Sequence, residues 1–181
     1  MKKAKIILFA CILYGLPAGI RAQTNMFIAN PVAVEVLKGN YDPNLYRPAE
    51  VVDQPDSIRM GIIRNVSPQE QVDLLNHLET FHNRNSGSDT LSNTTGIGAC
   101  RTWIRSYFDQ ASKDNGGRLV TGYLEFDADI CGMSHHKNPF ALLPGLDTTN
   151  HEIIVIEGHF DTRNEGGCDT EGYTPGIDDN G

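Results

Sequence analysis

No segment of this chain constrains its fold more than the run Ile153-Ile154-Val155-Ile156. Branching at Cβ stiffens these side chains and suits them to a pleated, packed surface. A strand with no polar alternation is one covered on both faces, so the run asks for a sheet with layers above and below it. It leads into Glu157-Gly158-His159-Phe160-Asp161. That places an imidazole beyond the carboxyl end of a strand, where ligands of α/β sheets gather.

The preceding residues supply the helices such a layer needs. Ser67-Pro68-Gln69-Glu70 combines an N-cap, a proline at the first helical position and a capping-box glutamate. Val72, Leu75, Leu78 and Phe81 then recur at three- to four-residue spacing, and His77 and His82 fall at the edge of that stripe as structural or surface residues. After a polar loop at 83–95, a second helix is expected over 96–114, with Ile97, Cys100, Ile104, Tyr107, Phe108 and Ala111 inward and Asn115-Gly116-Gly117 as its stop. Strands are expected at 119–130, 140–143 and 153–157. His135-His136 reads as part of a solvated turn between the first two. The expected fold class is α/β, a three-layer sandwich with a mixed sheet, truncated before its later strands and helices.

Upstream, Asn30-Pro31 opens a short helix that stops before Gly39, and the stretch 42–56, with Pro43, Pro48 and Pro55, should be extended and irregular. Leu45, Tyr46, Val51 and Val52 leave 23–66 enough apolar surface to pack as an extension on a domain at 67–181. Residues 1–22 read as a signal peptide. Lys2, Lys3 and Lys5 precede an apolar stretch broken by Gly15, Pro17 and Gly19, and Ala22-Gln23 offers the cleavage point. A membrane span needs about 20 unbroken apolar residues, more than this segment has. The implied localisation is secreted or periplasmic.

The 181 residues carry a net charge of −8; four of the fifteen basic residues lie in the leader, leaving eleven against twenty-three acidic ones and a balance of −12. No basic stripe is present, so neither nucleic acid nor an anionic membrane is an expected partner. Three cysteines remain after cleavage. Cys100 lies on a helical apolar stripe and reads as a core residue, which makes Cys131 and Cys168 the favoured disulfide pair.

The chemistry concentrates at the carboxyl-terminal end. Asp161 lies two residues beyond His159 and can accept the imidazole N–H, fixing its tautomer and raising the basicity of the other nitrogen. A Gly-rich loop follows, then Pro175-Gly176-Ile177-Asp178-Asp179-Asn180-Gly181. Imidazole and carboxylate on one side of a sheet are the beginnings of a divalent-metal site.

Gly158-His159-Phe160-Asp161 together with Pro175-Gly176-Ile177-Asp178-Asp179-Asn180-Gly181 resembles the N-terminal metal-binding half of the co-catalytic di-zinc aminopeptidases. These form metallopeptidase family twenty-eight, which includes the bacterial secreted leucyl aminopeptidases. The likeness extends back through Asn83-Arg84-Asn85-Ser86-Gly87-Ser88 and covers roughly residues 67–181. It implies two zinc ions and peptide substrates cleaved at their N-terminus. His159 would be a ligand, Asp161 the residue that orients it, and Asp179 the carboxylate bridging both metals, with Asp178 a neighbour. Two zincs about 3.5–4 Å apart can share a water and lower its pKa while one polarises the scissile carbonyl.

The family also supplies a Glu-Glu pair holding the general base, another aspartate and a second histidine. None of these follows within the 181 residues. The expectation is therefore weak metal binding and no turnover from this chain alone, since a catalytic zinc normally takes three protein ligands. Two other readings share the scaffold: receptor-type ectodomains that keep the architecture without metals, and zinc cyclases or carboxypeptidases that change the reaction.

Overall fold

The computed structural model describes residues 25–150 and 152–176, so the expected leader lies outside the described residues. The architecture is α/β. Strand β1 (Met26–Ile28) is followed by helix α1 (Pro31–Leu37), a 3-10 turn at Pro43–Tyr46, and helices α2 (Pro55–Asn65), α3 (Pro68–Glu79) and α4 (Gly96–Asp114). Strands β2 (Val120–Ile130) and β3 (Met133–Leu142) complete a three-stranded sheet of order β1-β2-β3.

Local chemistry accounts for the helix boundaries. Asn30 caps α1 through its side chain, which accepts from the Val32 amide at 2.9 Å, with Pro31 in the first turn. Ser67 caps α3 by accepting from Glu70 N. Helix α4 starts and stops where the pattern places it, but its N-cap residue Thr95 makes no side-chain cap bond. The hydroxyl of Ser88 accepts instead from Ile97 N at 2.9 Å, so the cap comes from the preceding loop.

β2 is the central strand, and its two faces meet different helices. Val120 packs with Ala33, Val36 and Tyr46, with Phe140 and Leu142 of β3 beside them. On the opposite face Thr121 is hydrogen-bonded to Asp109 of α4, and the Tyr123 ring lies under the Arg105 guanidinium. A second core joins Leu78 and Phe81 to Ala99 and Cys100, with Trp103, Ile104 and Phe160 packed against it.

Four features differ from expectation. The described strands are all antiparallel, where a mixed sheet was expected. The run expected to form a buried inner strand is unpaired: Ile154 and Ile156 are 90% and 94% exposed. Sequence pattern reports a strand's capacity to be covered, whereas coverage depends on neighbouring strands. Next, β3 begins at Met133, so His135 and His136 lie on a strand and not in a solvated turn. Cys131 and Gly132 both take positive φ (52° and 81°) and make a two-residue hairpin turn that carries the pairing out to Ile130 and Met133. Finally, Pro55–Asn65 is helical although no helix was expected between Gly39 and Ser67 and 42–56 was expected to be extended. It has Pro in its first turn and no buried residue.

Candidate metal-binding segment

From Glu152 to Pro175 the chain contains no helix or strand apart from a single bridge between Thr174 and Asn83. A segment without a hydrogen-bonded ladder must find partners for its backbone groups elsewhere. Here they come from the loop 83–88, whose Asn83, Arg84, Asn85 and Ser88 are all buried.

Arg84 is the centre of that loop. Its guanidinium is 1% exposed and donates to three carbonyls: Nε to Phe160 O at 2.8 Å, and Nη1 to Leu78 O and Pro175 O, each at 2.7 Å. Burial pulls its pKa below the ordinary value, opposed by the nearby Cys100 and Asp161. Its backbone pairs with Thr162 in both directions, and the Thr162 hydroxyl donates onward to Thr174 O. Asn83 Nδ2 donates to Asp169 O and Gly172 O, and Asn85 Nδ2 donates to Gly167 O. The disulfide Cys131–Cys168 ties the same loop to the β2–β3 turn, the pairing expected from the buried position of Cys100.

His159 and Asp161 come together on this scaffold. His159 Nδ1 stands 3.3 Å from Asp161 Oδ1 and 3.2 Å from the Asp161 carbonyl. Both neighbours are acceptors, and the tautomer with its proton on Nδ1 is the one that can donate to them. Asp161 Oδ2 in turn accepts from the Ser86 hydroxyl at 3.1 Å. The chain Ser86–Asp161–His159 has the form of the outer-sphere support that orients a metal-ligating imidazole.

Two further placements complete the segment. Gly176 takes a φ of 57°, and a Cβ there would stand 2.1 Å from Thr162 Cγ2. Only glycine fits the turn that leads towards Asp178 and Asp179. Asp179, the expected bridging carboxylate, lies outside the described residues. Among the described residues no group of three or more His, Cys, Asp or Glu side chains is arranged to hold a metal ion. Among the described residues, His159 and Asp161 are therefore a pair and not a complete ligand set.

The sequence reading singled out His159 and Asp161 and missed the polar loop that holds their segment. The available signal was the loop itself: one arginine among amides and hydroxyls with no apolar residue, bordered by two apolar helices. Such a loop, when buried, has to spend its donors on other backbone.

Fold and segment together define an α/β protein whose His-x-Asp lies on an irregular strap held by buried polar contacts. Its relatives give that description a direction. A "Probable zinc metalloprotease" of Phaeosphaeria nodorum is 28% identical over 131 residues, covering 69% of this chain and 26% of its own length. Proteins of the same name from Pyrenophora teres f. teres and Pyricularia oryzae are 26% and 29% identical, covering 69% and 77% of this chain. The chain spans less than a third of the length of these curated relatives. No family model matches it, and no solved structure gives a significant match.

Proposed function

We propose that the complete protein is a zinc-dependent metalloexopeptidase of the aminopeptidase type, and that these residues supply the first part of its metal centre. The observation that carries this reading is the close approach of His159 Nδ1 to the Asp161 carboxylate, which in turn accepts from the Ser86 hydroxyl. It occurs in a sequence whose similar proteins are named zinc metalloproteases. An imidazole with its Nδ1–H held by a carboxylate offers Nε2 as a zinc ligand, the usual arrangement for histidine at such sites. Asp179 joins it as the shared carboxylate.

Zinc would supply Lewis acidity and a water of lowered pKa. The chain's own contribution is orientation. Asp161 holds the imidazole in one tautomer, and Ser86 holds Asp161. The remaining ligands and the general base belong to sequence beyond these residues in the complete protein. Residues 1–22 are read as an export signal and 67–181 as the N-terminal portion of the peptidase domain. The disulfide is consistent with a secreted or periplasmic location, where disulfides persist. No helix of the described residues is long and apolar enough to cross a membrane.

The test uses the complete protein, measuring bound zinc by mass spectrometry and cleavage of aminoacyl-p-nitroanilides against their N-acetylated forms. Cleavage of free-amine substrates alone, abolished by a chelator and by His159→Ala, is the expected result. Cleavage of internal bonds in blocked peptides would replace the exopeptidase reading with an endopeptidase one. Absence of zinc would leave the receptor-type scaffold.

A further inference from the structure

We propose that Arg84 is a positioning residue of this metal centre, setting the His159–Asp161 strap against Pro175 and the end of α3. The proposal rests on the zinc reading above. Apart from the Thr174–Asn83 bridge the strap has no strand pairing, and its approach through residues 153–156 is exposed, so no extended sheet ladder places His159. Beside the packing of Phe160 on the second core and the Thr162–Arg84 hydrogen bonds, one guanidinium holds the strap, bonded in three directions. Nε bonds the carbonyl of Phe160, the residue between His159 and Asp161, while Nη1 bonds the carbonyl of Pro175 on the returning turn. The backbone at Phe160 and at Pro175 is thus fastened to the same rigid plane, and Leu78 O fastens that plane to the end of α3.

Nη2 sharpens the argument. It is a buried side-chain nitrogen without a hydrogen-bond partner among the described residues. It lies beside Gly176, where a Cβ would come within 3.4 Å of it. Buried donors are rarely left unmade, and this one lies against the Gly176 backbone. Arginine suits the position because its five donors lie in a fixed fork. A lysine ammonium is a single point charge on a flexible stem and cannot hold carbonyls of three segments in one plane.

The experiment measures zinc affinity by competition with a chromogenic chelator, alongside thermal midpoints, for the complete protein and its variants. Arg84→Lys keeps the charge and loses the fork; it should weaken zinc binding by about 10–100-fold, as losses of outer-sphere support do. Val36→Ala, in the separate core beneath α1, is the comparator that lowers stability from a distance. It should leave zinc affinity within about twofold at a similar loss of midpoint. Thr162→Val, which removes the hydroxyl bridging Arg84 N and Thr174 O, provides a milder second loosening should Arg84→Lys fail to fold, and should weaken zinc in the same direction. Unchanged affinity in Arg84→Lys or, where that variant fails to fold, in Thr162→Val would overturn the proposal. So would weakening in Val36→Ala that tracks its lost stability, since Arg84 would then be a structural residue only. A wild-type protein that binds no zinc, indistinguishable from His159→Ala, would instead defeat the zinc reading and take this proposal with it.

Discussion

His135 lies between two carboxylates, with Nδ1 2.8 Å from Asp127 and Nε2 2.8 Å from Glu125, and Lys137 adds a second cation 3.2 Å from Glu125. The hydrogen bonds to Asp127 and then Glu125 hold the imidazole above its ordinary 6.5. For Glu125, burial opposes ionisation, but hydrogen bonds from His135 and Lys137 outweigh it and keep the carboxyl below its ordinary 4.5. The histidine's contribution to stability is full below about pH 6.5 and is lost as pH rises through its higher folded value. The glutamate's is present above about pH 4.5 and is lost as pH falls through its lower folded value. His135→Gln should therefore lower the thermal midpoint clearly at about pH 5.5 and little at about pH 9, by a modest amount because the cluster is partly solvated. An equal loss at both pH values would show that the imidazole's charge is not involved. Cys100 titrates in the other direction: burial pushes its thiol up to about 12, against the opposing charge of Arg84. It should resist iodoacetamide in the native protein and react on unfolding in denaturant. Its place on an apolar helical stripe already marked it as a core residue, and the structure leaves it 0% exposed.

Helices α1, α3 and α4 were legible because their signals are local. Asn30 and Ser67 each satisfy an amide within three residues of themselves, and no distant group has to be known to infer that. Ser67→Ala should cost about 1 kcal/mol of stability, measured by urea denaturation. A loss near zero would mean that the largely exposed α3 start frays without consequence. The longer β3 was not legible. Its hairpin turn uses Cys131 at positive φ, which lacks the Asn-Gly or Asp-Gly signature of such turns. One consequence is that His135 and His136 face opposite ways, His135 to its carboxylates and His136 buried and stacked on Phe126. Helix α2 was overlooked because its apolar residues, Ile58, Ile62 and Ile63, remain exposed, so no buried stripe singles it out.

The molecule joins a regular half, residues 26–142, to an irregular strap, and the joint is polar. The disulfide Cys131–Cys168 closes a sequence separation of 37 residues across it, which in the chain-entropy account corresponds to about 3–4 kcal/mol. Cys131→Ser and Cys168→Ser should each lose stability of that order in denaturant titrations. Equal stability with and without the bridge would show that the buried polar contacts hold the strap unaided. The apolar stripes, the caps of α1 and α3, the α/β class and the sequence proximity of His159 to Asp161 could all be read along the chain, since each depends on spacings of a few residues. The exposure of Ile153-Ile154-Val155-Ile156 and the role of Arg84 could not. Coverage of a strand depends on which neighbours reach it, and a guanidinium's partners at Phe160 and Pro175 lie 76 and 91 residues away. Such contacts have no period in sequence, because they arise only when packing brings separated backbone groups within reach of one donor.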